Sequence, residues 1–123
     1  VARATATNLP HLLQMMEAAM DHDGFSVIEC LSECVEFYEG AFDAANPRKG
    51  GAFNAIPVEH DVTDENAAYK LAGETFPGYF GIFYKSNRPT KNANEAKINA
   101  SYQAKVKGLK DWQILQQNFD RLK

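Results

Sequence analysis

A run of strand-forming residues that leads into a cysteine-bearing loop constrains this chain more than any other feature. Residues 25–30 read FSVIEC, which predicts a buried strand, and residues 31–37 follow as a loop that contains Cys34. In open α/β sheets, ligands and cofactors bind at the carboxyl ends of the strands. The pattern therefore predicts a thiol at that edge of a sheet, and Cys34 is the candidate functional residue.

The residues before this run predict the rest of a βαβ unit. Residues 1–5 form a short predicted strand, and Asn8 or Leu9 is the predicted N-cap of a helix with Pro10 in its first turn. Gly24 is a natural stop after that helix. The helix carries apolar residues at spacings of three and four, namely Leu9, Leu12, Leu13, Met16, Ala19 and Met20. Strand, helix and strand with short links predict a right-handed crossover.

The middle of the chain is less regular. Residues 39–55 contain three glycines and a proline, which predicts a long surface loop and the most mobile part of the chain. A second helix is predicted to begin near Asp61 or Thr63, since both are good N-cap residues. Residues 79–84 are aromatic and β-branched enough to predict a third strand.

The C-terminal region predicts helix. Between residues 94 and 123 the apolar residues recur at spacings of three and four positions. This periodicity indicates one long amphipathic helix or two helices broken at Gly108. Such a stripe normally packs on its own domain or on a sister subunit. The polar face mixes positive and negative charges, so a membrane-surface role is disfavoured.

Composition excludes several classes of function. The chain has 123 residues, enough for one domain with a real core, and 45% of them are hydrophobic. A net charge of −3 argues against a nucleic-acid-binding surface, which is usually basic. No apolar run approaches the roughly 20 residues of a membrane span, and the start has no signal-peptide pattern. We therefore predict a cytoplasmic protein that binds neither membranes nor nucleic acid.

The two cysteines and three histidines do not form a self-contained metal site. Cys30 falls on the predicted strand and is expected in the core, where free cysteine is common. Cys34 lies past the strand, where it is either a ligand or a small structural side chain. His11, His22 and His60 form no HxxxH or HExxH pattern, so a zinc site is not predicted. Phosphate-binding loops and the GxSxG elbow are also absent from the sequence.

Several motifs in order along residues 1–90 resemble one protein family. They are VARA at the start, HL at residues 11–12, HDGFSVIE at 22–29, LSxCVxF at 31–37, HDxTD at 60–64, and GIFY leading into NRPT at 81–90. Together they resemble the thiamine-diphosphate-binding β subunit of 2-oxoacid:ferredoxin oxidoreductases. Residues 91–123 have no counterpart in this resemblance.

The resemblance implies a fold and an activity. It implies a three-layer α/β domain with a mostly parallel sheet, truncated at its N-terminal side, over residues 1–90, with residues 91–123 as a helical C-terminal extension. Enzymes of this family oxidatively decarboxylate a 2-oxoacid with coenzyme A to an acyl-CoA, carbon dioxide and reduced ferredoxin. Pyruvate and 2-oxoglutarate both remain open as the 2-oxoacid, and the implied protein partners are the α subunit and ferredoxin.

The resemblance also implies cofactors: thiamine diphosphate, Mg²⁺ and a 4Fe–4S cluster. Family members hold the cluster with a CxxC pair, a third cysteine and a fourth in the Leu-Ser-x-Cys motif, and Cys34 matches that fourth position. The first three cysteines and the GDG…N motif for magnesium and diphosphate are missing from the sequence. The expectation is therefore a C-terminal fragment of the β subunit, without cofactor or activity of its own. The alternative is a non-catalytic α/β subunit-interaction module in which Cys34 is a buried structural thiol.

Overall fold

A computed structural model describes residues 1–122 of the chain. The chain divides into two compact units, Val1–Arg88 and a second that begins at Pro89. The first unit contains β1 (Ala2–Thr5), α1 (Leu9–Met20), β2 (Ile28–Leu31), two short 3-10 turns (Asp43–Ala45 and Pro47–Lys49), α2 (Glu65–Ala72) and β3 (Gly81–Ile82). The second contains α3 (Lys91–Val106) and α4 (Asp111–Asp120).

The three strands form one sheet in the order β2-β1-β3. Strands β1 and β2 are parallel, with Ala2 opposite Ile28 and Thr5 opposite Leu31, and α1 connects them as the predicted βαβ unit. Strand β3 is antiparallel to β1, with Ala2 opposite Ile82. The mixed α/β class is therefore confirmed. The expected mostly parallel sheet is wrong for these three strands, because one of the two pairings is antiparallel.

Both flanking strands are shorter than the sequence predicts. Strand β2 begins at Ile28, where pairing with β1 begins, and the Phe25 side chain before it is 90% exposed. The predicted strand 79–84 contributes only Gly81 and Ile82 to the sheet. Phe80 instead forms a separate parallel bridge with Ala55. The length of each strand is therefore limited by its backbone pairing with β1 more than by the β propensity of its residues.

The helix ends follow local capping chemistry. Asn8 caps α1 by accepting from the His11 amide at 3.3 Å, with Pro10 in the first turn as predicted. Helix α2 begins after Asp64, whose carboxylate accepts from the amides of Asn66 and Ala67. The predicted start near Asp61 or Thr63 is thus slightly early.

The core of the first unit is small. It consists of buried Ala2, Ala4, Ala45, Ala68, Phe80 and Phe83, with Thr5 as a buried polar residue. Ala45 comes from the segment 39–55, which the sequence predicted as an open loop. Two 3-10 turns fold that segment onto itself. Its predicted mobility stays a prediction.

The tail forms two helices rather than one. Helix α3 ends at Val106 and α4 starts at Asp111, and Gly108 lies between them with φ of +83°. This backbone region favours glycine, so the second of the two predicted alternatives, two helices broken at Gly108, is the one observed. Within residues 1–122, no helix is both long and apolar enough to cross a membrane.

Candidate functional site

Cys34 lies in a tight turn just past the carboxyl edge of the parallel strand pair. The pairing of β1 with β2 continues one step beyond the strands, where the Ala6 amide donates to the Leu31 carbonyl at 2.9 Å. Three residues later the Cys34 carbonyl accepts from the amides of Phe37 (3.2 Å) and Tyr38 (2.9 Å). The predicted position of Cys34, past the carboxyl edge of the parallel strands, is therefore confirmed, and its role as a ligand stays a prediction.

The Glu33 carboxylate and a neighbouring ion pair hold this turn. Glu33 accepts a hydrogen bond from the Gly40 amide, which closes the segment around Cys34. A Cβ atom on Gly40 would come within 3.1 Å of the Asp43 carboxylate, and Asp43 binds the Lys49 ammonium at 3.0 Å. The Asp43 amide also donates to the Gly40 carbonyl at 3.1 Å, so hydrogen bonds connect the cysteine turn to the first of the 3-10 turns that follow it.

Negative charge surrounds Lys49 in this region. The hydrogen bond to Asp43 raises the pKa of Lys49, and the charges of Asp43, Glu33 and Glu39 raise it further. Lys49 is solvent-exposed, so these surface interactions contribute little to stability. They place the carboxylates of Asp43, Glu33 and Glu39 near the Lys49 ammonium.

The two cysteines have similar surroundings, contrary to the prediction for Cys30. Both thiols are exposed and unpaired. Cys30 was predicted to be a core residue, and this is wrong for the chain as it stands. Cys30 pairs with Ala4, which is fully buried, but β2 is an edge strand and leaves the cysteine uncovered.

The exposed Cys34 thiol is chemically suited to be one ligand of a shared metal centre. A thiolate can bind iron, but an iron–sulfur cluster needs four such ligands. Among residues 1–122, no group of three or more His, Cys, Asp or Glu side chains could hold a metal ion. The chain has two cysteines in all, so a four-thiolate cluster here would take at least two ligands from other polypeptide.

The HDxTD motif has a structural role in this unit. The Nε2 atom of His60 lies 2.8 Å from the Phe83 carbonyl, which attaches the motif to the core. The Asp61 carboxylate accepts from the hydroxyl (2.7 Å) and the amide (2.8 Å) of Thr63, and these hydrogen bonds lower the pKa of Asp61. Asp64 then caps α2. The motif thus shapes the entry into a helix.

Arg3 is an organising residue that sequence reasoning did not single out. Its Nε donates to the Glu29 carboxylate at 2.7 Å across β1 and β2, and its guanidinium lies 5.3 Å from the centre of the Phe83 ring. Arg3 and Glu29 line a cavity of about 340 Å³ that also borders Tyr69 on α2. The sequence did contain a signal for this ion pair: each of the two predicted strands carries one charged residue, Arg3 and Glu29, and these lie opposite each other in the sheet.

The remaining histidines lie apart from Cys34. His22 and Asp21 border a second cavity of about 390 Å³, together with Met15 and Val27. His11 packs against Phe53. Neither cavity is lined by Cys34. The site predicted from the sequence is therefore a surface turn, and the cavities belong to other parts of the unit.

Comparison with known proteins gives one informative similarity. No family model matches the chain, and no curated protein matches it. Among solved structures, the chain is similar to a 2-oxoglutarate:ferredoxin oxidoreductase from Magnetococcus marinus, solved with 2-oxoglutarate, coenzyme A and succinyl-CoA bound. The sequence identity is 26% and the TM-score is 0.66. The similarity supports a relationship to 2-oxoacid oxidoreductases.

The match covers 94% of this chain but only 38% of the solved chain, so this chain spans well under half the length of that protein. The division into residues 1–90 and a helical extension over 91–123 stays a prediction.

Proposed function

We propose that this chain is the C-terminal part of the thiamine-diphosphate-binding β subunit of a 2-oxoacid:ferredoxin oxidoreductase. The observation that carries the proposal is the structural match across 94% of the chain at 26% identity. The order of the sequence motifs along residues 1–90 supports the same subunit. The complete enzyme would convert a 2-oxoacid and coenzyme A to acyl-CoA and carbon dioxide while reducing ferredoxin. We expect this chain to be inactive alone.

Cys34 is proposed as one of the four thiolate ligands of a 4Fe–4S cluster. Three features support it: the thiol is exposed, it has no disulfide partner, and it lies past the carboxyl edge of the parallel strands. The cluster, when bound, carries electrons one at a time from the decarboxylated substrate to ferredoxin. The other three ligands are proposed to lie in polypeptide outside this sequence, because the only other cysteine is Cys30.

The residues around Cys34 support this role by fixing the turn. Glu33 closes the segment through the Gly40 amide, and the paired Asp43 and Lys49 hold the adjoining turn. A thiolate bound to iron needs a defined direction, which a closed turn provides better than an open loop. Thiamine diphosphate and Mg²⁺ are assigned to the complete subunit, since the GDG…N motif is not in this sequence.

Exposed apolar side chains support assembly with further polypeptide. Phe25, Phe37 and Val58 are each at least 90% exposed, so their apolar surface is available for contact with further polypeptide. We propose that the remainder of the β subunit and the α subunit cover them. The bound 2-oxoglutarate in the similar protein makes 2-oxoglutarate the first substrate to assay, with pyruvate as the second.

Anaerobic iron analysis tests the proposal directly. The complete subunit is prepared as wild type, as Cys34→Ser and as the matched control Cys30→Ser, and iron content and visible absorbance are measured. We expect Cys34→Ser to lose about four irons per chain, the content of one cluster. We expect Cys30→Ser to keep them, since Cys30 lies on β2 itself.

Unchanged iron in Cys34→Ser would contradict the ligand assignment. It would favour the alternative, a non-catalytic subunit-interaction module with a structural Cys34. That alternative predicts a buried Cys34 thiol, whereas the thiol is exposed in this chain. Loss of iron in both variants would indicate general damage to the sheet edge, and it would equally remove the support for Cys34 as a specific ligand.

A further inference from the structure

The segment 39–55 is closed on itself and meets the core at its end. The Ala52 amide donates to the Ala44 carbonyl at 2.8 Å, and the Gly51 amide donates to the Asn46 carbonyl at 3.0 Å. These bonds tie the two 3-10 turns to the strand-like residues that follow. Movement of those residues would therefore move the 3-10 turns with them.

Phe53 is the side chain that joins this segment to the core. Its ring stacks on the fully buried Phe80 at 4.8 Å and 17°, and the His11 ring packs against it at 4.9 Å and 69°. Backbone bonds flank the same point, from the Phe80 amide to the Asn54 carbonyl (2.8 Å) and from the Ile56 amide to the Phe80 carbonyl (2.9 Å). His11 thus covers the ring at the junction.

His11 is poorly placed to carry a charge. Its Nδ1 is buried and has no hydrogen-bond partner among the residues that the structure describes. A neutral imidazole has one donor and one acceptor nitrogen, whereas protonation makes both of them donors. Burial lowers the pKa of His11 below the ordinary value for histidine. The neutral ring is therefore the form that fits this contact.

The ionisable groups nearby do not compensate for a charge on His11. Helix α1 itself carries Glu17, two turns from His11. The helix packs against all three strands: β1 carries Arg3, β2 carries Glu29 and Cys30, and β3 carries no ionisable side chain. Arg3 and Glu29 bind each other at 2.7 Å. Residues 50–56 contain no ionisable side chain. Burial is the only cause behind the lowered pKa of His11, so none of these charges offsets it.

We propose that His11 is a proton-sensitive latch that holds residues 50–56 against Phe80 and releases them when the imidazole is protonated. Protonation adds a charge and a second N–H to a ring whose Nδ1 has no acceptor in the closed arrangement. Water supplies that acceptor only when the ring leaves Phe53. Release uncovers Phe53 and frees the Asn54 and Ile56 bonds to Phe80, and the attached 3-10 turns gain freedom.

The direction of the pH effect follows from the lowered pKa of His11. The released state binds a proton more readily than the closed state, because its imidazole is solvated. The closed state is therefore favoured above the ordinary histidine pKa of about 6.5, and it loses stability as pH falls through and below that value. The contact between Phe42 and Phe76, at 5.6 Å, lies nearer the other end of the segment and involves no titratable side chain.

Hydrogen exchange of the full chain tests the latch. Peptides that cover residues 50–56 and 80 are compared at pH 7.5 and pH 5, after correction for the intrinsic pH dependence of exchange. We expect wild type to lose protection selectively in these peptides at pH 5. Peptides from α2 serve as the internal reference and should keep their protection.

Two variants isolate the imidazole. His11→Phe keeps a ring on Phe53 but cannot be protonated, and His11→Gln keeps a neutral polar group. We expect both to show the same protection of residues 50–56 at pH 7.5 and pH 5. Equal loss in wild type and His11→Phe, or no loss in wild type, would overturn the proposal.

An NMR titration keeps the test decisive if both variants fold poorly. The His11 ring signals of wild type should titrate below the ordinary range for histidine, in step with changes in the Phe53 ring signals. Titration of His11 at or above that range would overturn the latch. The latch does not depend on the role of Cys34, so the iron assay and this experiment can fail independently.

Discussion

Arg3 connects the two parallel strands to the residue that follows β3. It joins β1 to β2 through Glu29, and its guanidinium lies over the Phe83 ring that follows β3. The Arg3 side chain is 20% exposed and that of Glu29 is 54% exposed. An ion pair this open contributes modestly, while the contact with the ring adds apolar burial along the arginine stem.

Replacing Arg3 should therefore cost more than replacing its partner. We expect Arg3→Ala to lower the free energy of unfolding by about 1–2 kcal/mol, from the ion pair and the aromatic contact together. We expect Glu29→Gln to cost at most about 1 kcal/mol. Urea unfolding followed by circular dichroism measures both, with the exposed Lys85→Gln as the control. A larger loss from Glu29→Gln than from Arg3→Ala would contradict this order.

At the scale of elements, helices follow their sequences more closely than strands do. Helix α1 begins after Asn8 and carries Pro10 in its first turn, as predicted, because capping and periodicity act within a few residues. The 3-10 turns in 39–55 were missed, and the segment is closed by bonds between more distant residues, from the Gly51 amide to Asn46 and from the Ala52 amide to Ala44. Gly50 and Gly51 close these turns for different physical reasons.

The two adjacent glycines should respond differently to substitution. A Cβ on Gly51 would collide with the backbone carbonyls of Asp43 and Ala44, which cannot move independently. Gly50 has open space around it but a φ of +84°. We expect Gly51→Ala to cost about 2–3 kcal/mol of unfolding free energy and Gly50→Ala about 1 kcal/mol.

Asparagine provides the control for this comparison. It tolerates positive φ, so Gly50→Asn should recover much of the stability lost in Gly50→Ala. Gly51→Asn should recover none, because its defect is steric. Urea unfolding of all four variants distinguishes the two causes, and equal costs at both positions would refute the distinction.

At the scale of the whole molecule, little side-chain volume is buried. The core contains two buried phenylalanines and four alanines among the described residues, while Phe25, Phe37 and Val58 are exposed. The similar solved chain is considerably longer, since this chain spans 38% of it. The first unit therefore depends strongly on each large core residue that it has.

Two phenylalanines of opposite burial test this dependence. Phe80 is fully buried, so Phe80→Ala should remove about 3–5 kcal/mol of unfolding free energy. Phe37 is 93% exposed, and Phe37→Ala should change stability by less than about 0.5 kcal/mol. Thermal and urea unfolding measure both. A large loss from Phe37→Ala would show that its ring is buried in solution.

Some features of the candidate site could be predicted from residues that are close in the sequence, and others depend on contacts between distant residues. The sequence predicted that Cys34 follows a strand at the sheet edge, and the structure places it there. The closing contact from Glu33 to Gly40 was not predictable, because no periodic pattern marks it. The exposure of Cys30 was not predictable either, since it depends on β2 being an edge strand.

The sequence by itself determined the βαβ unit, the start of α1 and the placement of Cys34 past a strand, and it offered a break at Gly108 as one of two alternatives for the tail. All of these depend on spacing and on contacts between residues close in the chain. Only the tertiary structure decided that β3 runs antiparallel, that β2 lies at an edge, and that His11 and Phe80 enclose Phe53. These arrangements bring together residues tens of positions apart, and their energies come from burial and pairing that a local pattern does not contain.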